Sequence, residues 1–150
     1  MNNQKNIVLC GVGGQGTVLA SKLLAAAAMS KDIPVMSAET IGMAQRGGSV
    51  FSHLRMGNDL YSPMIETGTA DLIIGFEPGE TVRMLPYLKT GGHVVVSTRA
   101  VKPVTATLSG FDYDAPQMLD YLKVNVPNLT FVNADQACSD IGSSKALNMV

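Results

Sequence analysis

CGVGGQG, residues 10–16, is the stretch on which the fold turns. Just before it lie Ile7, Val8 and Leu9; just after it runs TVLASKLLAAAAM, residues 17–29. An apolar run that breaks into glycines and resumes as alanine and leucine, the best helix formers, reads as strand, tight turn, helix. The pattern predicts a buried strand over residues 6–10 and a helix over residues 17–29. Apolar residues run nearly all round that helix, so it is expected to be largely covered. A turn over residues 30–34 leads to a second strand over 35–38. A β–α–β unit of this length is expected to close right-handed onto a parallel sheet.

Further along, residues 39–48 (ETIGMAQRGG) have no clean period, and SVFSHLRM, residues 49–56, alternates as a partly exposed strand does. Residues 57–59 form a turn, and a hairpin-like insertion is expected around 49–62. ADLIIGF, residues 70–76, reads as a buried strand. Residues 78–88 read as a helix with Pro78 in its first turn, ended by the glycines of 89–92. HVVVS, residues 93–97, is a β-branched strand. A weaker strand over 101–108, a helix over 115–124, a strand over 128–132 and a short helix over 133–141 follow. KALNMV, residues 145–150, reads as the first turns of a further helix. Strands alternating with helices predict a single α/β domain over 1–150: a three-layer, Rossmann-like α/β/α sandwich on a mostly parallel sheet.

Composition narrows the function. The 150 residues suit one core, with 46% hydrophobic and 15% charged residues. About 25% charged is usual for a free-standing domain, so the low value hints at surface covered by a partner. The net charge of −1, with no basic run, lacks the footprint of a nucleic-acid binder. No apolar stretch approaches the ~20 residues of a membrane span, and no secretory leader is legible, so a soluble, cytoplasmic chain is expected. Cys10 and Cys138 stand alone, as do His53 and His93. No CxxC or Cys/His spacing offers a metal or iron–sulfur site, and two buried, reduced thiols are expected.

Gly11, Gly13 and Gly16 satisfy G-x-G-x-x-G between a strand and a helix. Such a turn brings backbone close to a ligand and aims a helix N-terminus at an anion. Glu39, 23 residues after Gly16, stands where a ribose-binding acid of a dinucleotide site is expected. Two readings therefore stand at this point: a phosphate grip, or a packing turn that lets strand and helix meet. Glu77 and Glu80 flank a helix start and read as dipole-complementing caps. His53 reads as a satisfied or exposed strand residue, and His93 as exposed.

GVGGQG at 11–16, QRGGSVFSHLRMG at 45–57 and YSPMIETGTADLIIGFEPGETVRMLPYLKTGG at 61–92 together resemble one family. It is the gamma subunit or domain of 2-oxoacid:ferredoxin oxidoreductases, and the likeness is greatest to the small (beta) subunits of indolepyruvate ferredoxin oxidoreductases. The resemblance covers nearly the whole chain. It implies a complex that oxidatively decarboxylates a 2-oxoacid to its acyl-CoA and passes electrons to ferredoxin. Thiamine diphosphate, Mg and 4Fe–4S clusters would sit in a larger partner subunit, with coenzyme A as co-substrate and no cofactor held by this chain alone. The chain itself would be a non-catalytic, obligate subunit. Family members usually continue past a stretch like KALNMV, which implies a chain cut short. On this reading Gly11, Gly13, Gly14, Gln15, Gly16 and Thr17 form an anion-holding or interface turn. Arg46, Gly47, Gly48 and Ser49 form a loop reaching toward the partner, with Arg46 either a clamp for phosphate or carboxylate or a structural ion pair at the interface. The alternatives are a stand-alone NAD(P)-binding domain of a dehydrogenase or regulator, and a plain interaction module.

Overall fold

The computed structural model describes residues 4–40, 47–102 and 113–143. Gln45, Arg46, most of the weak strand expected over 101–108 and the helix expected over 145–150 lie outside them. Six strands form one sheet in the order β2-β3-β1-β4-β5-β6. They are β1 (Lys5–Val12), β2 (Val35–Glu39), β3 (Ser49–Met56), β4 (Ala70–Gly75), β5 (Leu88–Ser97) and β6 (Leu129–Val132). The helices are α1 (Thr17–Met29), α2 (Pro78–Met84), α3 (Ala115–Asn125) and α4 (Ala134–Ile141), with a 3₁₀ turn at Leu85–Tyr87.

Period-two alternation along β1 sends its side chains to two separate cores. Ile7 and Leu9 join Leu54, Phe76 and Ala20 under α1. Val8 and Cys10 join Ile73, Val94, Val96, Met84 and Leu122 under α2 and α3. Helices thus cover both faces, and the sheet is mostly parallel: β1–β4, β4–β5 and β5–β6 run parallel, while β3 runs antiparallel to both β1 and β2.

Several expectations need correction. β2 does not lie beside β1, because β3 is inserted between them. The antiparallel feature is therefore β3 alone, folded back on β2, and residues 57–69 are irregular. β3 is flanked by strands on both sides, so it is not a partly exposed strand; Val50, Ser52, His53 and Leu54 are buried. The second helix stops at Met84 rather than 88. Pro86 has no N–H to continue the ladder and sits in the 3₁₀ turn, and residues 88–92 belong to β5 instead of a helix cap. α1 is not covered all round, since Leu19, Leu23 and Met29 are exposed. Cys10 and Cys138 are buried free thiols. His93 is exposed on β5, against the Thr130 hydroxyl at 2.9 Å.

His53 is fully buried, between Tyr87 in a T-shaped contact and Phe51. Its Nδ1 accepts the Ile65 N–H at 2.8 Å, which leaves Nε2 carrying the proton. The imidazole thereby ties the irregular 57–69 segment onto β3. Burial lowers its pKa below 6.5. The unfolded chain takes up the proton first, so this stability is present above pH 6.5 and is lost as pH falls below it. His53→Phe is expected to cost about 1–3 kcal/mol at neutral pH, because the Ile65 N–H loses its acceptor. It should also flatten the loss of stability between neutral pH and about pH 5.5. Urea unfolding at the two pH values checks both effects.

Candidate functional site

β1 and β4 are adjacent and parallel, yet their chains leave the sheet in opposite directions. β1 feeds α1 on one face, and β4 feeds α2 on the other. The crevice beyond their carboxyl ends is the topological switch point of the sheet, where open α/β folds place their ligands. Three segments meet there: the glycine turn after β1, residues 76–80 after β4, and the start of antiparallel β3, where Ser49 pairs with Val12.

The two glycine motifs are joined through their backbones. The Gly13 N–H donates to the Gly48 carbonyl at 2.8 Å, and the Gly47 N–H reaches the Gly13 carbonyl at 3.4 Å. Gly14 and Gly16 have φ of 101° and 83°. Gly16 caps α1 without any side-chain hydrogen bond, and no acidic residue stands in the first turn. The amides at this helix start therefore have no side-chain acceptor among the described residues, and the positive end of the helix dipole faces the crevice.

Gln15 is tied to the protein through both ends of its amide. Its Oε1 accepts the Val12 N–H at 2.7 Å, and its Nε2 donates to the Phe76 carbonyl at 3.1 Å. The amide lies directly over Gly11, where a Cβ would stand 2.7 Å from Oε1. Gly11 itself is the penultimate residue of β1, opposite Val50, and is buried in the packing. The Thr17 hydroxyl, at the first position of α1, is buried and has no partner among the described residues. The Ser49 hydroxyl donates to Glu80 Oε2. Of the ten expected site residues, nine thus gather at one crevice, and Arg46 lies outside the described residues.

The carboxylates of the β4–α2 turn carry a signal that spacing alone underrated. Glu77 does cap α2, accepting the Glu80 N–H at 2.9 Å, but it is wholly buried. It also accepts the Tyr113 hydroxyl and backbone N–H bonds from Gly79 and Val101. Burial pushes its pKa up to about 7, with the neighbouring Glu80 charge adding to the rise and the backbone bonds opposing it. Glu80 is buried too, between Ser49 and Arg83, whose Nη1 lies 3.6 Å from Oε1. The FEPGE run between a buried strand and Pro78 was the clue: two acids in so apolar a setting must have partners. Cys10 lies beneath them, its thiol raised far above its usual range by burial.

The dinucleotide reading fails on this geometry. A ribose-binding acid belongs on the strand next to β1, and β3 occupies that place. Glu39, on edge strand β2, is one strand further out, and strands lie about 4.8 Å apart.

The pyruvate ferredoxin/flavodoxin oxidoreductase family matches residues 6–150. The indolepyruvate oxidoreductase subunit IorB of Archaeoglobus fulgidus is 40% identical over 97% of this chain and 72% of its own length. Among solved structures, the gamma subunit of a keto/oxoacid ferredoxin oxidoreductase from Geobacter sulfurreducens shares the fold with a TM-score of 0.64 at 20% identity, over 98% of this chain and 71% of that one. A 2-oxoglutarate:ferredoxin oxidoreductase from Magnetococcus marinus, solved with 2-oxoglutarate, coenzyme A and succinyl-CoA bound, has a TM-score of 0.67 at 19% identity, over 97% of this chain and 23% of that one. The resemblance carried by GVGGQG, the RGG stretch and the residues up to 92 is thus met along nearly the whole chain. The chain belongs to the pyruvate ferredoxin/flavodoxin oxidoreductase family, as a small, gamma-type subunit of the 2-oxoacid:ferredoxin oxidoreductases.

Proposed function

We propose that this chain is the small subunit of an indolepyruvate-type 2-oxoacid:ferredoxin oxidoreductase, and that its switch-point crevice helps to hold coenzyme A. The complex decarboxylates the 2-oxoacid oxidatively, transfers the acyl group to coenzyme A and reduces ferredoxin. The observation that carries the reading is the meeting of the glycine turn with Gly47, Gly48 and Ser49 at the uncapped start of α1. A phosphate there would find the backbone N–H groups of Gly14, Gly16 and Thr17, those of Gly13 and Gln15 being bonded to the Gly48 and Val12 carbonyls, and the partial charge of the helix. Arg46, next to Gly47, is the natural second clamp for such an anion.

Iron–sulfur ligation does not fit this chain's thiols. Cys10 is fully buried and held neutral, and Cys138 is buried in α4, whereas a cluster needs four thiolates. As the family resemblance implies, the proposal places the clusters, thiamine diphosphate and Mg in the larger subunit, on which this chain docks. No helix among the described residues is long and apolar enough to cross a membrane.

Purification of the tagged chain from cells that also express its larger subunit tests the proposal. A brown complex containing thiamine diphosphate, with coenzyme A-dependent dye reduction by indolepyruvate, is the expected result. Recovery of the chain without iron, together with saturable NADH binding weakened by Glu39→Ala, would overturn it.

A further inference from the structure

Two side chains at the crevice spend all their visible polar contacts on the protein itself. Gln15 sits in the glycine turn, yet its amide bridges Val12 of β1 to Phe76, the residue that follows β4. Glu80 sits in the first turn of α2, yet one of its oxygens takes the Ser49 hydroxyl at the start of β3. The first bridge spans 61 residues of chain and the second 31. Together with the backbone bonds between Gly13 and residues 47–48, they close a loop: glycine turn to residue 76, residue 80 to residue 49, residue 48 back to the glycine turn. Each of the three segments is thereby held by two others.

We propose that Gln15 and the Ser49–Glu80 pair are positioning residues. They fix the spacing of the three segments around the crevice and do not themselves touch the ligand. The inference rests on the reading that coenzyme A binds at this crevice. Its physical basis is that an amide tied to backbone through both its oxygen and its NH₂ group, or a carboxylate holding a hydroxyl from another segment, is fixed in place and so fixes the segments it joins. A buried donor left unpaired, such as the Val12 N–H without Gln15, forces the turn to move. Glu80 behaves alike: without the Ser49 hydroxyl its side chain keeps, among the described residues, Arg83 at 3.6 Å and largely exposed to solvent. On this inference Gln15 and Ser49 space the segments, and contact with the ligand falls to free backbone N–H groups such as those of Gly14 and Gly16.

The test uses the assembled complex with its larger subunit and steady-state kinetics in coenzyme A and 2-oxoacid. Gln15→Met removes the amide without adding charge. Ser49→Ala removes the hydroxyl, and Ser49→Thr retains it. We expect KM for coenzyme A to rise about tenfold in Gln15→Met and Ser49→Ala, with kcat and KM for the 2-oxoacid changed by less than about twofold. Ser49→Thr should stay near the parent. Unchanged KM for coenzyme A in both variants would overturn the inference, as would equal behaviour of Ser49→Ala and Ser49→Thr. A fall in activity of Ser49→Ala that merely follows the loss of assembled complex would also overturn it. If Gln15→Met does not assemble, the Ser49 pair decides alone. Arg46→Ala separates this inference from the reading beneath it. An effect on KM for coenzyme A at Arg46 alone removes the positioning role. No effect at Arg46, Gln15 or Ser49 removes the crevice as the coenzyme A site.

Discussion

Gly75→Ala is expected to destabilise the chain by about 3 kcal/mol, at the upper end of the usual cost of overpacking. Gly75 ends β4, paired with Cys10 on one side and Val96 on the other. A methyl group there would stand 1.7 Å from Thr81 Oγ1 and 2.9 Å from Thr81 Cβ. Thr81 cannot yield easily. It is wholly buried, its β-branched side chain has few rotamers in a helix, and its hydroxyl donates to the Glu77 carbonyl at 2.7 Å. Either α2 lifts from the sheet or β4 bends between two neighbours. The double variant Gly75→Ala with Thr81→Ala removes Oγ1 and Cγ2 and leaves only the Cβ contact. Urea unfolding should therefore show it more stable than the sum of the single variants by about 1–2 kcal/mol. A loss below about 1 kcal/mol in Gly75→Ala, with strict additivity, would show that α2 does not depend on this close approach.

That approach matters for function because α2 brings Glu77 and Glu80 to the crevice. It also marks the limit of what the sequence made legible. The extents of α1 and β3 match the expectation residue for residue, because each rests on local signals: an alanine run after glycines, and alternation between two turns. The place of β3 between β1 and β2 was not legible. A strand's order in a sheet is a long-range choice, and residues 35–39 read equally well beside β1. The helix expected over 78–88 overran because Val82, Leu85 and Leu88 share a helical period, whereas Pro86 had already ended the ladder. The site divides in the same way. The glycines of 11–16 and 47–48 were visible as motifs, since backbone freedom leaves a residue signature. The role of Gln15 was not, because its partner lies 61 residues away. Nor was the full burial of Glu77. Hydrophobic patterning assigns acids to the surface, and only the bonds from Tyr113, Glu80, Gly79 and Val101 explain how one remains inside.

Glu77 should leave its mark on the pH dependence of stability, with a sign opposite to that of most carboxylates. Its folded pKa is raised from 4.5 to about 7, chiefly by burial. Between those values the folded chain holds a proton that the unfolded chain has released. Stability from this group is therefore fully present below pH 4.5 and falls as pH rises through about 7, by roughly 3 kcal/mol in all. His53 acts the other way below pH 6.5, so the two partly cancel on the acid side, and from there to about pH 7 Glu77 contributes a downward slope. Glu77→Gln removes the ionisation. Its amide oxygen can still accept the Glu80 N–H, and its NH₂ group can donate to the Tyr113 oxygen. Unfolding midpoints of the parent should decline from pH 6.5 to 8, whereas those of Glu77→Gln should hold level or rise slightly. Parallel profiles for the two proteins would mean that Glu77 is ionised throughout, its charge held by the four donors around it rather than expelled by burial. The slope therefore decides whether the β4–α2 turn presents the crevice with a neutral acid or a buried anion.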